Sequence, residues 1–256
     1  MSLAATGDRS VKVEDFRVEP GKVTAGEVSC PRGAEPTGGG FSVQPLSATD
    51  IGTRVNEASF SRHDHWTTRI NAFGTETRKA KSIAICRANA GNLSRKSKSI
   101  GVDGSFDQWP SVSIRCPKGS SLTGGGAEVS GGYQDMYVLE SRPSGNREWV
   151  VTAFVSVGYV GSLEAHAACD PENRNDYKTV VDFTSVMRAR RGTVIERQAK
   201  AECPAGAVTT GGGYSLGESQ NVMVTDNRPK GNDAWLLRLR THQSGQTYSA
   251  WARCLK

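Results

Sequence analysis

Six cysteines carry the clearest chemistry in this sequence of 256 residues. Three of them open the motif Cys-Pro-x-Gly-x-x-x-Thr-Gly-Gly-Gly, at starting points 86 and 87 residues apart, and a second cysteine follows each start after 56, 53 and 51 residues. A bridge that was copied together with its unit must lie within that unit, unless the three copies are linked in a cyclic swap. The spacing therefore predicts three disulfides, Cys30–Cys86, Cys116–Cys169 and Cys203–Cys254.

A metal centre is the competing use of these cysteines. The sequence contains no Cys-x-x-Cys pair, and no histidine recurs at an equivalent place in the three copies. Because structural zinc needs four close ligands, we favour disulfides and expect neither a metal nor another cofactor. Disulfides persist in oxidising compartments, which predicts a secreted or extracytoplasmic protein.

The histidines cluster only at His63-Asp64-His65. In an extended segment the two imidazoles would point the same way and could share a metal ion. Two ligands make an incomplete site, so we favour a solvated turn. Catalytic signatures such as Gly-x-Ser-x-Gly and His-Glu-x-x-His are missing from the sequence, which gives an enzyme little support.

The elements that position these residues belong to three copies of one unit, at about residues 8–90, 91–174 and 175–256. Short alternating apolar runs and 29 glycines predict an all-β protein with five or six strands in each repeat. The runs that read most clearly as strands are residues 11–18, 70–73, 83–86, 136–139, 149–157, 180–183, 222–224 and 235–239.

One tryptophan recurs in each copy, 19 or 20 residues before the second cysteine: Trp66, Trp149 and Trp235. Because Trp235 shares a strand face with Leu237 and Leu239, we expect core side chains rather than sugar-stacking platforms. The triple glycine is followed by strand-like residues and not by the Lys-Ser/Thr of a phosphate-binding loop. We interpret it as a place where a bulky neighbour, such as the repeat's own tryptophan, lies against the backbone.

Two architectures suit three such repeats. We favour a single domain over residues 1–256, a pseudo-three-fold, β-prism-like body in which each repeat carries one disulfide. The alternative is three small β-sandwiches in tandem, since a unit of about 86 residues with one bridge is marginally able to fold alone.

The net charge of +6 and the sequence pI near 9.1 favour anionic partners. Basic residues concentrate at Arg95, Lys96 and Lys98 and again at residues 188–191. Aromatic residues do not interleave these runs, so we expect no dedicated nucleic-acid site. No apolar stretch is long enough to predict a membrane span.

The pattern Cys-Pro-x-Gly…Thr-Gly-Gly-Gly…Trp…Ala-x-Cys resembles a repeat of uncharacterised secreted bacterial and phage-associated proteins. The resemblance extends over all three units, and it implies surface binding or adhesion rather than catalysis. It carries over no catalytic residues. Repeat one departs from the other two, because residues 60–66 replace the Arg-Pro-x-Gly-Asn turn that precedes the tryptophan strand in repeats two and three.

That turn supplies the predicted ligand contacts, because arginine and asparagine offer several donors to sugar hydroxyls and carboxylates. The sequence favours an extracellular protein that binds a glycan or an anionic cell-surface polymer through loops repeated around the body. A structural or adhesion component of a surface or tail assembly and a secreted hydrolase remain as alternatives, and the oligomeric state stays open. The predicted contact residues are His63, Asp64, His65, Arg142, Asn146, Arg228 and Asn232.

Overall fold

The computed structural model describes residues 9–62, 64–88, 93–131, 136–172, 176–186 and 193–256. His63 and the basic residues 188–191 lie outside these ranges. Over the described residues the chain forms eighteen β-strands and no helix, so nothing in them is an apolar helix of bilayer-spanning length. The predicted all-β fold is confirmed.

Each repeat supplies six strands. Repeat one forms β1 (Arg9–Val18), β2 (Val23–Ser29), β3 (Ala34–Val43), β4 (Thr53–Arg62), β5 (His65–Ala72) and β6 (Arg78–Ala88). Repeat two forms β7 (Ser94–Asp103), β8 (Ser111–Arg115), β9 (Ser121–Gly131), β10 (Met136–Ser144), β11 (Glu148–Val155) and β12 (Val160–Asp170). Repeat three forms β13 (Tyr177–Val186), β14 (Ile195–Glu202), β15 (Val208–Ser215), β16 (Val222–Lys230), β17 (Ala234–Thr241) and β18 (Gln246–Leu255).

The strands assemble into three six-stranded antiparallel sheets, and each sheet draws on two repeats. Sheet I has the order β1-β6-β3-β16-β17-β14, sheet II the order β2-β5-β4-β9-β12-β7, and sheet III the order β13-β18-β15-β10-β11-β8. Strands one, three and six of one repeat thus continue into strands two, four and five of another. Three tandem sandwiches would keep each sheet within one repeat, so the pseudo-three-fold body is the arrangement that fits.

The predicted disulfides are confirmed. Each repeat links its own two cysteines, with 5.6 Å between the paired Cα atoms in all three bridges. The second cysteine of each pair lies in strand six and is buried beside the small residues Ala84, Ala167 and Ala252. Each closed loop stabilises the fold by roughly 4 kcal/mol in the chain-entropy description.

The three tryptophans are core residues, as the alternation predicted. Trp66, Trp149 and Trp235 expose no more than 1% of their surface, and each ring lies against the second glycine of its own repeat's motif. A Cβ placed on Gly125 would lie 2.3 Å from the Trp149 ring, which leaves room for glycine alone.

The first glycines of the three motifs meet on the pseudo-three-fold axis. A Cβ on Gly124 would lie 2.4 Å from the carbonyl oxygen of Thr37, and Gly38 and Gly211 are similarly close to backbone atoms of another repeat. The threonine before each of these glycines donates its hydroxyl proton to the backbone carbonyl of the corresponding threonine in another repeat. The distances are 2.7, 3.1 and 2.8 Å from Thr37, Thr123 and Thr210. A closed ring of three hydrogen bonds therefore fixes the repeats to one another.

Candidate functional site

The best candidate for a site starts from an acidic residue that recurs nine residues before each tryptophan: Glu57, Glu140 and Asp226. The residue after the acid faces the tryptophan layer, since Ser141 and Asn227 accept hydrogen bonds from the indole nitrogens of Trp149 and Trp235. Strand alternation therefore directs the acid to the outer face of its sheet. Each acid lies where the two repeats join, opposite Glu128, Ser215 or Ser42 of the neighbouring strand.

The outer face of sheet I carries the largest groove described, with a volume of about 580 Å³. We call it the sheet I groove. Strands β1, β3, β6, β14, β16 and β17 and the segment after β3 all contribute to it. Its charged lining residues are Asp15, Lys79, Lys81, Glu196, Asp226, Arg228, Arg238 and Arg240.

Asp226 forms the buried centre of the groove, with 7% of its side chain exposed. Nε of Arg228 donates a hydrogen bond to one of its carboxylate oxygens at 2.6 Å, and Nη1 of Arg238 donates one to the other at 3.1 Å. Two guanidinium groups therefore share one buried carboxylate. The centre of the groove keeps an excess positive charge.

The remaining charges extend this excess along the groove. Glu196 accepts hydrogen bonds from Nε and Nη2 of Arg240, both at 3.1 Å, and Lys81 lies 3.3 Å from Asp15. Lys79 forms no ion pair with any described residue. Five cations thus face three carboxylates, and this arrangement can bind an extended anion without desolvating a whole ion pair.

The positive surface continues past Lys79. An adjoining depression of about 340 Å³ shares Asp15 and Lys79 with the groove and adds Phe16 and Arg17. The two cavities together offer a strip for a chain-like ligand, with one aromatic ring at its end.

Sheet III presents the same acid in a different setting. Nε of Arg142 donates a hydrogen bond to Glu140, and Thr152 donates another to its second oxygen at 2.9 Å. The Arg142 guanidinium also lies over the Trp251 ring, 4.7 Å from its centroid. These contacts match Arg142 to its own neighbours, as expected for a side chain that shapes the strand surface.

Sheet II differs again, because Ser59 stands where the other sheets have Arg142 and Arg228. Glu57 exposes 3% of its side chain and accepts a 2.7 Å hydrogen bond from the Ser59 hydroxyl. Burial, together with the charge of Glu128, raises the pKa of Glu57 to about 7. Contacts with His166 and Arg69 hold the pKa of Glu128 below its ordinary value. Such a separation resembles an acid–base pair, but the burial of Glu57 keeps it out of reach of a polymeric substrate.

The predicted turn residues have the following positions. Arg228 lines the groove and Arg142 occupies the matching place on sheet III. Asn146 and Asn232 lie in the turns after β10 and β16. Their side-chain oxygens accept hydrogen bonds from Arg253 at 3.3 Å and from Arg9 at 3.0 Å, and their carbonyls accept bonds from backbone nitrogens of Leu122 and Thr209. The two asparagines therefore hold their turns against neighbouring strands.

The predicted contacts of repeat one lie at the turn between β4 and β5. Nδ1 of His65 lies 2.5 Å from an Asp64 carboxylate oxygen, and the Asp64 carbonyl accepts a hydrogen bond from the backbone of Cys30. This turn is at the end of sheet II and contributes nothing to the sheet I groove.

Sequence reasoning missed Lys79, Lys81 and Glu196, and it read Arg238 and Arg240 only as the face opposite the tryptophan. The recurring acid nine residues before each tryptophan was the available signal. It marks the centre of every sheet, although it does not show which side chains from another repeat surround it.

Comparison of the chain with protein-family models and with curated protein sequences found no match to either. The function is therefore argued from the geometry and the charge of the sites themselves.

Proposed function

We propose that this protein is an extracellular binding protein that holds an anionic polysaccharide in the sheet I groove. The observation that carries the proposal is the excess of cations over carboxylates along an open groove of about 580 Å³. Grooves of this volume suit a ligand of a few sugar units.

The chemistry of the groove suits carboxylate or sulfate groups on a sugar chain. Lys79 and Lys81 provide mobile ammonium donors, with about half of the Lys81 side chain exposed. Arg228 and Arg238 keep planar guanidinium groups at the groove centre, and Asp226 holds them in place. Guanidinium groups fixed in this way recognise carboxylate or sulfate by paired hydrogen bonds.

A glycan is favoured over a single-stranded nucleic acid by the lining of the groove. Sites for single strands stack successive bases on aromatic rings, and no aromatic side chain lines the 580 Å³ groove among the described residues. Phe16, in the adjoining depression, is one ring and not a platform for successive bases.

The three disulfides support the extracellular location. Intramolecular bridges of this kind are typical of proteins from oxidising compartments. Acidic surface polymers are available as ligands in those compartments.

The direct test is affinity for size-defined heparin and polygalacturonate oligosaccharides, measured by isothermal titration calorimetry with neutral dextran as the blank. We expect Lys79→Ala/Lys81→Ala to weaken binding about 10-fold, since two exposed charge contacts are lost. The matched control is Lys96→Ala/Lys98→Ala, which removes two lysines with the same spacing from edge strand β7 of sheet II. Equal losses in the two double variants would show charge attraction without a site and would overturn the groove.

The heparin and polygalacturonate arms separate the two kinds of anion. Binding of heparin alone assigns the groove to sulfated chains, and binding of polygalacturonate assigns it to carboxylated ones. Binding of dextran with equal affinity would contradict an anionic ligand altogether.

The single variants Arg142→Ala and Arg228→Ala test the predicted turn contacts. The groove geometry predicts that Arg228→Ala weakens binding, because Arg228 lines the groove. If Arg142→Ala weakens it as strongly, the ligand also contacts sheet III.

A further inference from the structure

The outer face of sheet II carries a cluster of Glu57, Arg69, Glu128, Glu164 and His166, which we call the sheet II cluster. We infer that this cluster binds one divalent transition-metal ion through Nε2 of His166 and one oxygen each of Glu128 and Glu164. The site is separate from the sheet I groove and does not rest on the function proposed for that groove.

The three ligand atoms converge. Nε2 of His166 lies 3.7 Å from a Glu128 oxygen and 3.9 Å from a Glu164 oxygen, and all three atoms lie within 4.8 Å of one another. Metal–ligand bonds of 2.0–2.2 Å place tetrahedral ligands about 3.4 Å apart. Side-chain movements of a few tenths of an ångström would therefore complete the site.

The His166 nitrogen is the observation that points to a ligand. It is buried, and it has no hydrogen-bond partner among the described residues, since both carboxylates lie too far away to accept one. Glu57 lies beside it with 3% of its side chain exposed, and its Oε2 likewise accepts no hydrogen bond from a described residue. Buried polar atoms are normally paired, and a metal ion between His166, Glu128 and Glu164 supplies what the imidazole lacks.

A second layer of contacts orients the Glu128 carboxylate. Nη1 of Arg69 donates a hydrogen bond to Oε1 of Glu128 at 3.1 Å and lies 2.7 Å from Oε2 of Glu57. This bond uses one Glu128 oxygen and leaves the other directed at His166. Outer contacts of this kind fix the geometry of metal ligands in proteins.

The other two sheets provide an internal comparison. At the three ligand positions, sheet I has Ser42, Lys81 and Ile83, and sheet III has Ser215, Ser249 and Trp251. Sheet II has Glu128, Glu164 and His166 in the same register. Three positions of one scaffold have therefore all changed to ligand side chains on one sheet only.

The ligand set also indicates the class of metal. An imidazole nitrogen with two carboxylates suits zinc and neighbouring first-row ions rather than calcium or magnesium, which prefer oxygen ligands alone. Access is available through a cavity of about 360 Å³ that borders His166, Lys96 and Ser97.

The experiment is a calorimetric titration of ZnCl₂ into the full chain, free of any affinity tag and stripped with a chelator, at pH 7.5. We expect one Zn²⁺ per chain. His166→Ala should weaken binding at least about 100-fold, because it removes a ligand rather than an outer contact. Glu164→Gln, which is nearly isosteric, should weaken it in the same direction and keeps the test valid if His166→Ala fails to fold. CaCl₂ should give no comparable binding.

His242→Ala is the matched control, since it removes a histidine outside the cluster that contacts the Thr193 carbonyl. It should bind zinc as the unchanged chain does. Absence of zinc binding, or equal binding by His166→Ala and Glu164→Gln, would overturn the site. Loss of binding in His242→Ala with His166→Ala unaffected would also overturn it. A zinc-dependent rise in Tm that disappears in His166→Ala alone would support it independently.

Discussion

The pseudo-three-fold axis and the outer faces of the sheets have the same triplicated origin, yet they have diverged to different extents. At the axis, each repeat contributes the same threonine and the same first glycine, and the three hydroxyl hydrogen bonds differ by no more than 0.4 Å. On the outer faces the recurring acid is retained, while its neighbours are arginines in sheet I, Trp251 in sheet III and His166 in sheet II.

The difference separates two demands on one sequence. Residues at the axis contact the other repeats, so a change in one copy must be accommodated by both neighbours. Residues on an outer face contact their own sheet and solvent, so each copy is free to change. The comparison teaches that symmetry here specifies the fold, and that binding chemistry is to be sought where the symmetry is lost.

The largest expected effect is at the axis. In Gly124→Ala, the new Cβ would lie 2.4 Å from the Thr37 carbonyl oxygen, with backbone atoms as its other neighbours. We expect a loss of about 4 kcal/mol in the free energy of unfolding, or failure to fold, because backbone cannot move aside as a side chain can. Urea unfolding gives the value. Gly101→Ala in β7 is the control, since a Cβ there meets nothing within 4 Å and should change stability by less than about 1 kcal/mol.

The disulfides test whether the three repeats are equivalent inside. Replacing both cysteines of one bridge by alanine should cost about 3 kcal/mol in each repeat, because the closed loops of 56, 53 and 51 residues differ little in entropy. Unfolding in urea of the three double variants compares them directly. Costs that differ by more than about 2 kcal/mol would show that one repeat dominates the fold.

The outer face of sheet II should respond to pH. Burial raises the pKa of Glu57 to about 7 from an ordinary value of 4.5, so the folded state holds its proton more tightly than the unfolded state. Stability from this group is complete below pH 4.5 and is lost as the pH rises through about 7. We expect Glu57→Gln to gain about 2 kcal/mol relative to the unchanged chain between pH 5 and pH 8. Urea unfolding in the presence of a chelator measures it, and parallel pH profiles of the two proteins would rule out the raised pKa.

The smallest effect tests the one place where the interior is unequal. Ala58 stands where the other repeats have Ser141 and Asn227, and the Trp66 indole nitrogen consequently has no hydrogen-bond partner among the described residues. Ala58→Ser should restore the bond and stabilise the fold by about 1 kcal/mol. The rise in Tm measures the gain, and destabilisation would show that the site has no room for the hydroxyl.

Much of the interior could be predicted from the sequence. Triplication selected one disulfide pairing out of fifteen, and alternation in the strand of Trp235, Leu237 and Leu239 placed the tryptophan in the core. The motif glycines were interpreted as a close approach of that tryptophan, which the contact between Gly125 and Trp149 confirms. These features depend on residues within one repeat, where sequence distance is short.

The sharing of strands between repeats could not be read from the sequence. Alternation shows which face a strand buries but not which edge it pairs with, so nothing in β3 announces β16 as its neighbour. The sheet I groove follows from that pairing, because Lys79 and Lys81 come from repeat one and Arg238 and Arg240 from repeat three. The sheet II cluster escaped notice for the same reason, since Glu57 and Glu128 meet only where two repeats join.

The most direct test of the account is the number of ligands bound per chain. Titration of a short heparin oligosaccharide, too short to bridge two sheets, should give one site per chain that is lost in Lys79→Ala/Lys81→Ala. A stoichiometry of three, with equal affinities, would mean that the repeated turns bind the ligand on every face, and would contradict the claim that binding lies where the three sheets differ.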